Sequence, residues 1–191
     1  VRKAFRDQGR PDDAVTHYQE ALPLAHDAVG AHNNLGLALQ DQGKLDTAVA
    51  SHNKALALAP DNAEALSNRG LALQGLGMLD EAVASYHKAL AIAPDSAKCH
   101  NNLGNAQQDM GQLDAAVASY HKALAIAPDY AEAHRHLSNA YKFSEYNDDI
   151  RAMEDAYALP DLGDQQRMHL AFGLGKSFED LRQFDKAFDF Y

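Results

Sequence analysis

An all-α fold, a right-handed superhelix of stacked antiparallel helix pairs (an α-solenoid), is the architecture that three features of this 191-residue chain predict. The first is a repeat. Leu79–Asp95 reads LDEAVASYHKALAIAPD and Leu113–Asp129 reads LDAAVASYHKALAIAPD, and the two differ only at Glu81 against Ala115. Leu45–Asp61, LDTAVASHNKALALAPD, stands one step earlier in the same frame. A period of about 34 residues means stacked units, because one unit alone has too little core to bury its apolar face. The second is the apolar spacing within each unit, i, i+3, i+4, i+7, which is that of one helix face. The third is that no segment alternates with period two, so no strands are expected. A chain built this way is expected to present a surface and not to house a reaction.

Complete units are expected at 29–62, 63–96 and 97–130, each with two helices. The first helix of each ends at Gly43, Gly77 or Gly111, where glycine serves as the left-handed cap. Asp46, Asp80 and Asp114 then stand where the N-cap of the second helix belongs. That helix buries Ala82, Val83, Tyr86, Ala89 and Leu90, with their equivalents in the other units, and Pro60, Pro94 and Pro128 stop it. Gly36, Gly70 and Gly104 at unit position eight, and alanine at positions 20 and 27, mark where helix backbones come close. A larger residue at these contacts overpacks them.

The two ends are less regular. Residues 1–28 fit the last part of a unit through Gly9, Asp12, Ala14, Tyr18 and Ala21, with His26 in place of the terminal proline. Residues 131–164 form a degenerate unit, with a good first helix over Ala131–Tyr141 and Ser138 replacing the glycine. Its second helix uses Ile150, Met153, Ala156 and Leu159 after a one-residue shift, and Asp149 falls where alanine packs, so this pair is expected to be loose. Residues 165–191 form a truncated pair carrying Leu174, Gly175, Phe178, Asp185 and Ala187. Because the pattern breaks off inside a helix at both ends, the natural polypeptide is expected to continue in both directions. Phe184, Ala187, Phe188 and Tyr191 are then left without a partner helix, and self-association through these uncapped ends is expected.

Composition narrows the function. The net charge of −10, with no dense basic run, argues against a nucleic-acid partner. No stretch approaches the length of apolar sequence that a membrane span needs, so no membrane partner is expected. Cys99 alone excludes an intrachain disulfide and fits a reducing, cytoplasmic setting. No glycine-rich phosphate loop and no nucleophile with a base and an orienting partner can be found, so the chain reads as a non-enzyme without a cofactor.

The glycine at position eight, the alanines at 20 and 27, Tyr86 and Tyr120 at 24 and the proline at 32 together resemble the tetratricopeptide repeat family. The resemblance implies that positions two, five, six, nine, twelve and thirteen of each unit line a concave groove that binds a protein or an extended peptide. Position six is then Asn34, Asn68, Asn102 and His136, position five includes Asn33 and Asn101, position nine includes Asn105 and Asn139, and position twelve includes Gln108. A carboxamide has both donor and acceptor atoms and so matches peptide backbone. The ladder is similar to that of the superhelical repeats of O-GlcNAc transferase. The segment YNDDIRAMEDAYALPDLGDQQRMHLAFGLGKSFEDLRQFDKAFDFY resembles the region that joins such repeats to a sulfotransferase domain in certain bacterial proteins, through the Ile150/Met153 pair, the Leu-Gly after Pro160 and the distinguishing segment HLAFGLGKSFEDL, His169–Leu181. That resemblance implies an alternative role as a non-catalytic, substrate-orienting or dimerising arm, with the catalytic domain beyond Tyr191.

Other chemistry is excluded on spacing. The carboxylate clamp of chaperone-binding repeats finds only Asn68 and Lys98 in its best frame. His32, His100 and His134 are one unit apart, about one helix-packing step of 8–10 Å or more, too far to share a zinc. His87 and His121 read as outer-helix surface residues, and Cys99 as a small buried one.

Overall fold

A computed structural model of the chain describes residues 15–18 and 28–191. The remaining positions of the first partial unit, including Gly9, Asp12, Ala14, Ala21 and His26, lie outside the described residues. All regular structure among the described residues is helical. The helices are α1 (Ala28–Asp41), α2 (Leu45–Leu58), α3 (Ala63–Gly75), α4 (Leu79–Ile92), α5 (Ala97–Asp109), α6 (Leu113–Ile126), α7 (Ala131–Ala140), α8 (Asp148–Tyr157), α9 (Asp164–Asp180) and α10 (Phe184–Phe188). They fall into two compact units, residues 1–94 and 95–191.

The turns within pairs follow from glycine. Gly43, Gly77 and Gly111 have φ of +73°, +75° and +74°. After each one, the next N–H bonds back five residues: Lys44 N to Leu39 O, Met78 N to Leu73 O and Gln112 N to Gln107 O, at 2.8–3.0 Å. This left-handed cap satisfies the last carbonyls of the first helix and delivers the chain straight into the second. There is consequently no room for an aspartate N-cap. Lys44, Met78 and Gln112 hold that position with no side-chain cap, and Asp46, Asp80 and Asp114 lie inside the first turn. There they act on the positive helix end through charge. Side-chain caps sit instead on other helices. Asn62 accepts from Ala65 N at 2.8 Å, Ser96 from Cys99 N at 3.3 Å and Asn147 from Ile150 N at 3.2 Å. Before Pro60, Pro94 and Pro128 the chain leaves the helical region at Ala59, Ala93 and Ala127.

In the first unit α1 packs on α2, α2 on α3 and α3 on α4. Ala48, Ala55, Ala82 and Ala89 are buried at these contacts, whereas Val83 and Leu90 are only half-buried. Arg69 stands at unit position seven, where Leu35 and Leu103 occupy the other units. Its guanidinium donates to Ser85 Oγ (3.2 and 3.0 Å) and to Asn53 Oδ1 (3.3 Å), which gives the charge a polar seat between helices. In the second unit α5 packs on α6, and α6 on α7. Tyr120, Ala116 and Leu137 form one cluster, and Phe143, Ile150, Met153, Leu170, Leu174 and Phe178 form another.

The degenerate pair differs from the regular ones. α7 packs mainly on α9 and only slightly on α8. Phe143, in the loop between α7 and α8, is buried and donates its N–H to Asp180 Oδ2 at 3.2 Å. Asp149 is held by His121, whose Nε2 lies 3.1 and 3.2 Å from its carboxylate oxygens, so His121 is not a merely solvated residue. Leu159 lies beyond the end of α8 and is 42% exposed, contrary to the packing role expected of it. Ala187 is buried, also contrary to expectation, while Phe184, Phe188 and Tyr191 are exposed.

Ala82 and Ala116 are fully buried, and Ala84 and Ala118 are exposed on the same helices. Replacing Ala82 or Ala116 by Leu is expected to lower stability by about 1–3 kcal/mol. Ala84→Leu and Ala118→Leu are expected to stay within about 0.5 kcal/mol of the parent. Urea denaturation followed by circular dichroism measures the difference. Equal effects at the buried and exposed alanines would contradict the packing described.

Candidate peptide-binding face

Each unit carries its own face on first helices: α1 and α3 hold Asn33, Asn34 and Asn68 in the first unit, and α5 and α7 hold Asn101, Asn102, Asn105, Gln108 and Asn139 in the second. In each regular pair an aromatic ring from the second helix reaches some of the side chains of the first. His52, Tyr86 and Tyr120 lie against Gly36, Gly70 and Gly104. A Cβ on those glycines would come within 2.4, 2.7 and 2.5 Å of a ring atom. Only glycine admits the ring. Its polar edge then reaches the side chains of the first helix. Tyr86 OH donates to Gln74 Oε1 at 3.2 Å, and Tyr120 OH lies 2.8 Å from both Asn105 Oδ1 and Gln108 Oε1. Burial, with Asp109 adding to it, pushes the Tyr120 phenol well above its ordinary value, so the hydroxyl stays protonated.

The asparagines divide into two layers. Asn33, Asn68 and Asn101 are buried, at 5, 6 and 3% exposure. Asn33 Oδ1 accepts from Asn68 Nδ2 (3.1 Å) and His52 Nδ1 (3.1 Å), and Asn33 Nδ2 donates to Glu64 Oε1 (3.2 Å). In the second unit Asn101 Oδ1 accepts from His136 Nδ1 at 2.9 Å. Both rungs join position five of one repeat to position six of the next, 35 residues on. They tie neighbouring first helices together. Above them Asn34, Asn102, Asn105 and Gln108 are half-buried and Asn139 is exposed, while the rung residue His136 is itself half-buried. The sequence pattern marks both layers alike as polar.

Two histidines are held neutral here. His52 is fully buried, and its pKa is lowered to about 4 first by burial and then by the Arg69 guanidinium. His136 is lowered to about 4 by burial, then by Arg135 and His169, with Glu132 opposing. His136 also lies on the Tyr120 ring, centroids 5.7 Å apart. Where Tyr86 and Tyr120 bring a hydroxyl, the shorter His52 leaves its Nε2 and the Oε1 of Gln40 buried without partners. Elsewhere His134 is buried and hydrogen-bonded through Nε2 to Pro128 O at 2.8 Å. Among the described residues no group of three or more His, Cys, Asp or Glu is arranged to hold a metal ion, and no helix is long and apolar enough to cross a membrane.

The tetratricopeptide repeat family profile matches residues 27–95 and 61–129, and related repeat profiles match 3–43 and 101–159. No curated protein matches the sequence. Among solved structures the chain is similar to MamA from Desulfovibrio magneticus RS-1 (21% identity, TM-score 0.65, 96% of this chain and 92% of that one). It is similar to PilF of Pseudomonas aeruginosa (22% identity, TM-score 0.75, 96% and 84%). At these identities the likeness is one of fold. It is also similar to a Thermobaculum terrenum O-GlcNAc transferase (31% identity, TM-score 0.61), over 69% of this chain and 26% of the transferase.

The unfolded chain protonates His52 near its ordinary 6.5, but the folded chain only near 4. Between these values the unfolded state binds more protons, so stability is full above pH 6.5 and falls as the pH drops toward 4. The loss is on the order of 1–3 kcal/mol. His52→Tyr abolishes that contribution and brings a hydroxyl to Gln40 Oε1. It is expected to raise the urea midpoint at pH 7 and to make its decline toward pH 4.5 shallower. A variant with the parent's pH slope would show that His52 is not held neutral.

Proposed function

Because the chain belongs to the tetratricopeptide repeat family, we propose that it is a non-catalytic module that binds a protein partner through an extended segment laid along the first helices within a unit. The observation that carries this reading is the half-exposed carboxamide layer resting on buried polar rungs. Asn105, Gln108 and His136 already have hydrogen-bond partners that orient them before a ligand arrives, so binding there costs less ordering entropy. An extended segment advances about 3.3 Å per residue and helices pack about 8–10 Å apart, so each repeat meets roughly three ligand residues. Recognition through backbone groups gives affinity with little sequence preference.

Within this reading Asn34, Asn102, Asn105, Gln108, His136 and Asn139 face the ligand, and Asn33, Asn68 and Asn101 hold the first helices in register. A second reading is favoured by the O-GlcNAc transferase likeness: the chain serves as the substrate-orienting arm of a transferase. In the sulfotransferase version of that reading, the distinguishing segment His169–Leu181 forms most of α9 and ends at its C-cap.

Replacing Asn34, Asn102 and Asn139 together by Ala tests the proposal. Each net hydrogen bond is worth about 0.5–1.5 kcal/mol, so affinity for a linear peptide selected from a displayed random library is expected to fall at least tenfold. Helical content should be unchanged. If the arm reading holds, the same variant slows a tethered transferase domain on protein acceptors but not on small ones. Undiminished peptide binding by the folded variant would overturn the proposal.

A further inference from the structure

A tyrosine hydroxyl carries one hydrogen, yet that of Tyr120 lies 2.8 Å from both Asn105 Oδ1 and Gln108 Oε1. Each distance is that of a full O–H···O hydrogen bond, and a single hydrogen cannot point within the favoured angle at two acceptors at once. The hydroxyl therefore donates to one side chain and accepts from the other. The oxygen and nitrogen ends of a carboxamide exchange by a half-turn, and the surrounding network decides between them. One of the two side chains thus turns its oxygen toward Tyr120, and the other its NH2.

The arrangement is fixed from below. Tyr120 has no exposed surface, and its ring is seated on Gly104 and packed with Leu137. Asn105 and Gln108 are three residues apart on α5, so they share one face of the helix. With opposite ends held at the hydroxyl, their free ends also differ: one shows a carbonyl oxygen and the other an N–H.

We infer that Tyr120 sets Asn105 and Gln108 as an adjacent donor and acceptor that together read the N–H and C=O of a single residue in an extended ligand. In an extended chain those two groups of one residue point to the same side, as in a hydrogen-bonded strand pair. The inference rests on the peptide-binding reading above and adds to it a fixed point of register. The two preceding repeats lack the device. Beside Tyr86, position nine is Leu71, and beside His52 it is Leu37, neither of which has a carboxamide. Tyr120 is a positioning residue here, acting through the two side chains that touch the ligand.

The test uses a linear peptide selected on the parent chain from a displayed random library, then N-methylated at each residue in turn to delete one N–H at a time. At one ligand residue the methyl group is expected to lower affinity. Tyr120→Phe keeps the ring on Gly104 and removes the hydroxyl. It is expected to bind the parent peptide roughly three- to tenfold more weakly. It should also lose the penalty at that one residue while keeping the penalties elsewhere. A loss spread evenly over all positions, or an unchanged profile, overturns the inference. Should Tyr120→Phe fail to fold, Asn105→Leu, which installs the residue found at position nine in the two preceding repeats, is expected to erase the same penalty, and retention of it counts against the inference. If the library yields no peptide that the carboxamide layer binds, the groove reading itself fails, a separate result from a Tyr120-independent binder.

Discussion

The contact between a glycine of the first helix and an aromatic ring of the second is the constraint on which the rest of each repeat depends. The ring takes the space a Cβ would need, as at Gly36, Gly70 and Gly104. That closeness brings α1 against α2, α3 against α4 and α5 against α6. It also brings the polar end of the ring to side chains of the first helix. Packing and presentation are therefore not separate properties. The residue that closes the pair also orients the side chains outside it.

Small residues and polar rungs complete the arrangement at low cost. Alanine at the close contacts loses no side-chain entropy and leaves no cavity. The buried asparagines add direction: Asn33 spends both ends of its carboxamide on named partners, and Asn101 is matched by the neutral ring of His136. Polar groups buried in this way keep their hydrogen bonds and set the spacing of the helices. Where the glycine–aromatic contact is missing, order is kept by other means. The pair at α7 and α8 has Ser138 in place of glycine, and the second unit there closes around Phe143 and α9 instead.

Much of this was legible in the sequence because the period repeats each signal. Gly43, Gly77 and Gly111 announced left-handed turns, and Pro60, Pro94 and Pro128 announced helix ends; all stand as read. The N-caps were misplaced because Asp46, Asp80 and Asp114 look like caps by type, while the glycine turn starts the helix before them. Burial of Asn33, Asn68 and Asn101 was not legible, since polarity marks a groove and a rung equally and only the neighbouring helix tells them apart. Phe143 and Leu159 were hidden for a related reason: once the frame slips, the period no longer says which apolar residue turns inward. Similarity to known proteins establishes the repeat family, and the choice of ligand stays with the chemistry of the face.

The central claim is that one contact both closes a helix pair and poises its carboxamides. Side-chain amide NMR of Gly104→Ala, recorded below its unfolding temperature, tests this most directly. The added methyl group displaces the Tyr120 ring, so the account predicts that the NH2 signals of Asn105 and Gln108 shift toward those of Tyr120→Phe. Asn105 and Gln108 signals that stay in place while the ring is displaced would contradict it.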